Sequence, residues 1–415
     1  MCKANKSAGA ALEGISVLDV AGPLGNYCGK LFADLGADVI LIEPLQGAPT
    51  RCRGPYIQQR QADPDASLVF NYQNTSKRSI AIDLDNPQGQ ALLRRLVRKS
   101  NLLIESEQPG CMARRGLDHA ALRRENAGVI MTSITAFGQA GPFAHWQATD
   151  LTAMGMGGML YLAGYPDTAP MVACGEQAVG AANLFSAVAS MAAVYEAEIS
   201  GQGQHIDVSM QECVVLGLEN AVQFYDLEGT IRKRNAGTQR LAGTGVFACA
   251  DGYVYMMAGG IGSNKFWAGT TEWLIAEGVA GAEQFRDACW TDQAYLATNE
   301  AKAIFGEVFE PYARARTKLQ LEQAGRQQRI PIAPICDARD VVRSEQRAYR
   351  DFYAEIDSAD GTRLRMPGAP YLLSETPWRL SRRAPRLGEH THEILAWAGV
   401  SANEQEQLFA QGVVR

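Results

Sequence analysis

The groups best placed to do chemistry lie in residues 164–207, GYPDTAPMVACGEQAVGAANLFSAVASMAAVYEAEISGQGQHID. Two acids, Asp167 and Glu176, stand in a loop that leads into a long amphipathic helix. The helix ends in a glycine turn, and a strand follows. The carboxylates in this segment are able to act as a nucleophile or to move a proton. Thiol and metal chemistry have less support. The nine cysteines (Cys2, Cys28, Cys52, Cys111, Cys174, Cys213, Cys249, Cys289, Cys336) form neither a CxxC pair nor a Cys/His cluster. They read as small buried hydrophobes. An odd, unpatterned count in a chain of 415 residues points to reduced thiols and a cytoplasmic location, with no metal site.

Composition narrows the classes further. With 47% hydrophobic and 20% charged residues the chain is an ordinary globular one, long enough for two cores. A net charge of −6 leaves no global basic field for nucleic acid or an anionic membrane. The runs Arg94-Arg95, Arg98-Lys99 and Arg382-Arg383 read as solvated faces. The opening MCKANKSAGA has no apolar core, so no secretory leader is expected. The longest apolar stretch, residues 151–164, is too short to cross a bilayer.

Strands and helices alternate through the N-terminal part. Residues 15–20 form a short apolar run suited to a buried strand, and residues 24–35 carry Leu24, Cys28, Leu31 and Leu35 on one helical face. Gly36 stops that helix, and DVILIE (38–43) is the next strand, which makes a βαβ unit and implies a parallel sheet. Further strands are expected at 79–84, 101–105 and 129–134. Asn86-Pro87 marks a helix start, with an apolar stripe of Leu92, Leu93, Leu96 and Val97. The helix near 181–199 shows Leu184, Val188, Met191 and Tyr195 at helical spacing, then a strand begins at His205. One helix is expected over 211–227. After it the pattern changes: GVFAC (245–249) and YVYMM (253–257) flank a tight turn and read as a hairpin, with helices near 263–276 and 296–325. This gives an α/β fold. A large domain takes residues 1–228 and 331–415, and a smaller α+β domain, 229–330, is inserted into it. A short helix over 389–398 and a tail close the chain.

Six segments, in order and spacing, resemble the family III CoA-transferases (the CaiB/BaiF group). They are LEGISVLDVAGPLGNYCGKLFADLGADVILIEPLQGAPTR (12–51), NTSKRSIAIDL (74–84), SITAFGQAGPF (133–143) followed by Asp150, GQGQHIDVSMQE (201–212), ADGYVY (250–255) and PRLGEHTHEILAWAG (385–399). The resemblance implies a large Rossmann-like domain and an interlocked, ring-like dimer. Its active sites would lie where the large domain of one chain meets the small domain of its partner. It implies a coenzyme A thioester as substrate and no covalently bound cofactor. In the family an aspartate in the loop before the long helix attacks the thioester. That gives a mixed anhydride and then an enzyme-bound thioester, from which the acceptor acid takes the CoA.

Three positions depart from the family pattern. Counted without gaps from Gly201-Gln202-Gly203-Gln204 or from Asp167, the aspartate position falls on Val179. The lysine of the second strand is Leu41, and the arginine expected to approach the CoA phosphates is Gln108, beside Glu107. A neutral amide cannot replace a guanidinium fork at a phosphate. The positions matching the family's CoA site are Arg51, Lys77, Arg78 and Gly138; exposed surface charge is the plainer reading of the three cations. Gly259, Gly260 and Gly262 match a mobile loop that would close over the partner's site, and ordinary turn glycines fit them as well.

The expectation is a non-catalytic subunit that pairs with a homologous chain carrying the aspartate and binding the CoA thioester. An active homodimer using a displaced acid is the alternative. A three-residue gap would put Glu176 at the nucleophile position, although a solvated loop carboxylate is its plainer reading; Asp150 reads as a helix cap. A CoA-thioester racemase on the same scaffold is less favoured. It would pair a histidine with the aspartate, but Thr149 precedes Asp150 and His145 is four residues out of place.

Overall fold

The computed structural model describes residues 9–61, 63–234, 237, 239–259 and 265–415. Gly260 and Gly262 lie outside the described residues. The chain divides into two compact units. One comprises the residues up to Met159, Ala173–Gly229 and Ala348–Arg415; the other comprises Leu160–Val172 and Thr230–Arg347.

The first unit is built on a parallel sheet. Its strands are β1 (Ser16–Asp19), β2 (Asp38–Glu43), β3 (Arg78–Ala81), β4 (Leu102–Glu105), β5 (Ile130–Thr135) and β6 (His205–Ser209), in the order β3-β2-β1-β4-β5-β6. Every pairing in it is parallel. β1, β3, β4 and β5 are buried throughout, as expected when helices cover both faces of a parallel sheet. On one face Leu92, Leu93, Leu96 and Val97 of the helix Pro87–Val97 enter a core with Ile40, Ile80, Leu103 and Met131. Asn86 caps that helix by accepting from Gln88 N, with Pro87 in its first turn. The C-terminal helices Thr391–Trp397 and Ala402–Ala410 close this core through Ile394, Leu395 and Leu408. The second of them, capped by Ser401, takes the place of the expected tail.

The helix Gln177–Ser200 covers the other face, and its burial reverses the expected pattern. Leu184, Val188 and Tyr195 are exposed (53%, 69% and 66%), together with Phe185 and Ile199. The buried side is made of small residues: Ala178, Ala182, Asn183, Ser186, Ser190, Ala193 and Val194. Small side chains let the helix sit close on the sheet, where Ser190 Oγ bonds Thr132 Oγ1 at 2.7 Å. Asn183 accepts from Cys28 N (2.7 Å) and donates to Leu24 O and Val179 O. By length and composition this is the one described helix that could cross a membrane. Gly201 (φ +72°) ends it, and at Gly203 a Cβ would lie 1.9 Å from Val129 O, so only glycine fits that crossing. The single helix expected over 211–227 is two, Met210–Leu216 and Ala221–Glu228, parted at Gly217 and at Glu219 with φ +54°.

In the second unit β7 (Thr244–Cys249) and β8 (Gly252–Met257) form the expected hairpin. β9 (Ile332–Ile335) adds to it antiparallel to β8, so the expected boundary at 330 falls before a strand of this unit's own sheet, and the unit runs to Arg347. An aromatic core joins Phe247, Trp267, Phe285, Trp290, Phe305 and Phe309. The expected 296–325 helix is broken at Thr317, whose side chain forms a capping box with Gln320. The pieces are Asn299–Arg314 and Lys318–Gln328. In the first unit a further hairpin, β10 (Tyr353–Asp357) with β11 (Arg363–Pro367), was not anticipated.

Candidate functional site

The order of the parallel sheet reverses between β1 and β4. In an open α/β sheet the crevice beyond the carboxyl ends of the strands at such a reversal is where ligands bind. A cavity of about 420 Å³ lies there. Pro23 and Leu24 after β1, Ser106 to Pro109 after β4, Thr135 and Ala136 at the end of β5, and Met210 after β6 reach it. The head of the long helix supplies Glu176 and Val179, and Trp146 and Asp150 come from the segment between β5 and that helix.

Val179 therefore stands in the cavity wall, and every polar group around it is engaged or neutral. Its N–H donates to Asp150 Oδ1 at 3.0 Å, so Asp150 caps the helix head with a negative charge where the helix dipole favours one. Glu176 is ion-paired with Arg53, both about one-third exposed. Glu107 is paired with Arg115 at 3.2 Å. The Thr135 hydroxyl, 5% exposed, has no hydrogen-bond partner among the described residues. Among the described residues, Arg53 is the one cation in the wall, beside three carboxylates, Glu107, Asp150 and Glu176. The Val179 side chain in this wall carries no lone pair.

The four positions expected to hold CoA do not reach this cavity. Arg51 is 1% exposed. Its guanidinium bonds Glu43 (2.7 and 2.8 Å), Asp65 (2.8 Å) and Pro385 O (3.0 Å) and lies over the Phe70 ring. Lys77 is fully buried, with Nζ bonded to Asp19 (2.6 Å), Asn26 O and Asn74 Oδ1. Burial pushes the Asp19 carboxyl up and the Lys77 charge opposes it. Arg78 is 6% exposed and paired with Asp38 and Glu393. These three cations hold strands and loops together inside the unit. Gly138 is buried in the turn after β5 with φ +85°, and the next amide, Gln139 N, donates to both oxygens of Asp207.

Of the departures from the family pattern, Gln108 and Val179 meet in the cavity wall, whereas Leu41 does not. Leu41 is 1% exposed on β2 and packs against Ala48, Phe70 and Ala384, so a lysine there would be a core residue. Gly259 is buried at the end of β8, tied by Thr244 Oγ1 to its carbonyl at 2.6 Å. His145 is exposed and outside the cavity wall. Sequence reading missed Arg53, Thr135 and Trp146. Arg53 follows Arg51 by two residues, and only burial separates the ion-paired core arginine from the one in the wall.

The model of the family described as CoA-transferase family III matches residues 12–391. The chain belongs to that family. It is 40% identical over 401 residues to succinyl-CoA:(R)-benzylsuccinate CoA-transferase subunit BbsE of Thauera aromatica, covering 96% of this chain and 97% of that one. It is 30% identical to the succinyl-CoA–L-malate CoA-transferase alpha subunit of Chloroflexus aurantiacus, covering 97% and 92%. Its fold matches a CAIB/BAIF family protein from Brucella suis with a TM-score of 0.83 at 28% identity, over 94% of this chain and all of that one. The mixed α/β architecture and parallel sheet of the first unit are thus those of the family.

Proposed function

We propose that this chain is the non-catalytic subunit of a heteromeric CoA-transferase, paired with a homologous chain that carries the catalytic aspartate and binds the CoA thioester. The observation that carries this reading is the wall of the switch-point cavity. Val179 stands at the helix head, its amide is capped by Asp150, and the nearest other acid, Glu176, is held by Arg53. Two of the relatives above are named as subunits, which supports a second chain. The exposed apolar face of the long helix supports it too, because Leu184, Phe185, Val188 and Tyr195 on one helix form a surface that a partner would cover. The reading includes an interlocked dimer, a cytoplasmic location, and Gly259 at the root of a loop reaching the partner's site. The likeness to BbsE supports succinyl-CoA as donor and (R)-benzylsuccinate as acceptor, an activity of anaerobic toluene degradation.

In this reading the partner's aspartate attacks the thioester carbonyl, the C–S bond breaks and CoA thiolate leaves a mixed anhydride. The thiolate returns to the aspartyl carbonyl, the first acid departs, and the acceptor carboxylate then takes the CoA by the same two steps in reverse. The alternative is nucleophilic attack by Glu176, and its position in the wall is what favours it. To decide, the chain alone and the co-purified pair are incubated with succinyl-CoA, trapped with hydroxylamine and mapped by mass spectrometry. The expected result is modification of one aspartate of the partner and none of this chain. Modification of Glu176 in the isolated chain would overturn the non-catalytic reading.

A further inference from the structure

Two parts of the switch-point cavity's wall are joined by a single side chain. Leu24 stands in the wall on the turn after β1, and Val179 stands in it on the first turn of the long helix. Asn183, one helical turn beyond Val179 and 0% exposed, bonds to both. Its Nδ2 donates to Leu24 O at 2.8 Å and to Val179 O at 2.7 Å, and its Oδ1 accepts from Cys28 N at 2.7 Å. A side-chain amide has two N–H donors and a carbonyl acceptor, and here all three are spent on backbone groups.

The two helices that meet at this point lack caps of their own. The helix Asn26–Asp34 receives no side-chain bond from Gly25 before it, and the long helix receives none from Glu176. First-turn amides have no partner inside their own helix, so acceptors from elsewhere must serve them. Cys28 N, which also reaches Gly25 O at 3.0 Å, is served by Asn183. Val179 N is served by Asp150 Oδ1 at 3.0 Å. The neighbouring buried residues of the long helix cannot fix its position in the same way. Ala178 and Ala182 offer apolar contact, which has no direction. The Ser186 hydroxyl has no hydrogen-bond partner among the described residues. Ser190, which bonds Thr132, lies roughly two turns further on.

We propose that Asn183 is the positioning residue of this cavity: it holds the helix head against the turn after β1 and so sets the separation of Leu24 and Val179 across the wall. Walls ordered before binding spare an occupant the cost of ordering them. Leucine at this position keeps the γ-branch but has neither donor nor acceptor. Leu24 O and Cys28 N then lose a buried partner, and the turn and the helix head both open more readily.

Hydrogen exchange of the full chain, read on peptides covering 20–30, 176–186 and 130–135, tests this. It needs no substrate, so its outcome is separate from that of the transferase reading. Asn183→Leu should lower protection about tenfold in the first two peptides and leave the third, in β5, within about twofold of wild type. Asp150→Ala is the comparison, because it frees the helix head without touching the turn. It should loosen 176–186 and leave 20–30 as in wild type. Three results overturn the proposal: loss in Asn183→Leu confined to one of the two wall peptides, equal loss in all three, or wild-type protection throughout. Should Asn183→Leu fail to fold, Asn183→Ser decides by the same three results, since its hydroxyl is too short to bridge Leu24 O and Cys28 N.

Discussion

Two ion pairs and one buried acid show why the same residue type carries different weight at different places. Lys77 with Asp19 is wholly buried, while Arg53 with Glu176 is one-third exposed on both sides. Removing one partner of a buried pair strands the other charge, so Lys77→Met should cost about 3–5 kcal/mol in denaturant unfolding. Glu176→Gln should cost under ~1 kcal/mol and leave turnover of the assembled enzyme within about twofold, as a non-nucleophile would. Buried without a cation beside it, Glu105 behaves differently again. Its carboxyl is raised from an ordinary 4.5 to about 7, so the folded state holds a proton that the unfolded state has released. The stability this confers is fully present below pH 4.5 and is lost as pH climbs through about 7. Wild type should therefore lose on the order of 3 kcal/mol between these limits, while E105Q loses none of that part; melts across pH 4.5–8 check this. Arg51, Lys77 and Arg78 were legible in the sequence as basic positions but not as core cations. A basic residue and its counter-charge can be far apart in sequence, as Arg78 and Glu393 are.

At the scale of elements, the strands and the capped helices were readable because local chemistry sets them. DVILIE makes β2, and Asn86-Pro87 opens a helix in which Leu92, Leu93, Leu96 and Val97 are buried. The long helix was readable as a helix but not in its orientation. Its larger side chains form an apolar stripe, yet its alanines and serines form the buried face, since close approach to the sheet selects for small volume. The start of this helix at Gln177 places Val179 in its first turn, under the Asp150 cap. Asp150→Ala should expose that amide and loosen the helix head, lowering stability by about 1 kcal/mol and speeding hydrogen exchange at residues 177–181 without unfolding the sheet. Helices expected as single spans over 211–227 and 296–325 each break at a local signal. Gly217 and Glu219 break the first and the Thr317 capping box breaks the second; an apolar period continues through such points while the backbone does not.

At the scale of the molecule, the exposed stripe of the long helix is the feature a second chain would use. Val188→Arg sets a guanidinium in the middle of that stripe and touches nothing buried, as Val188 is 69% exposed. The isolated chain should keep its circular dichroism and melting point, and co-purification of the partner should fall at least tenfold. The sequence by itself determined the parallel α/β class, the hairpin of the second unit and the family. All of these are written in local periods, caps and collinear motifs. The tertiary structure alone decided which acids and bases share a wall. It placed Val179, Gln108 and Arg53 around one cavity, withdrew Leu41, Arg51, Lys77 and Arg78 into the core, and set Glu105 and His205 in the wall of a second cavity. Burial and partnering depend on strands and helices distant in sequence, and no period along the chain records that distance.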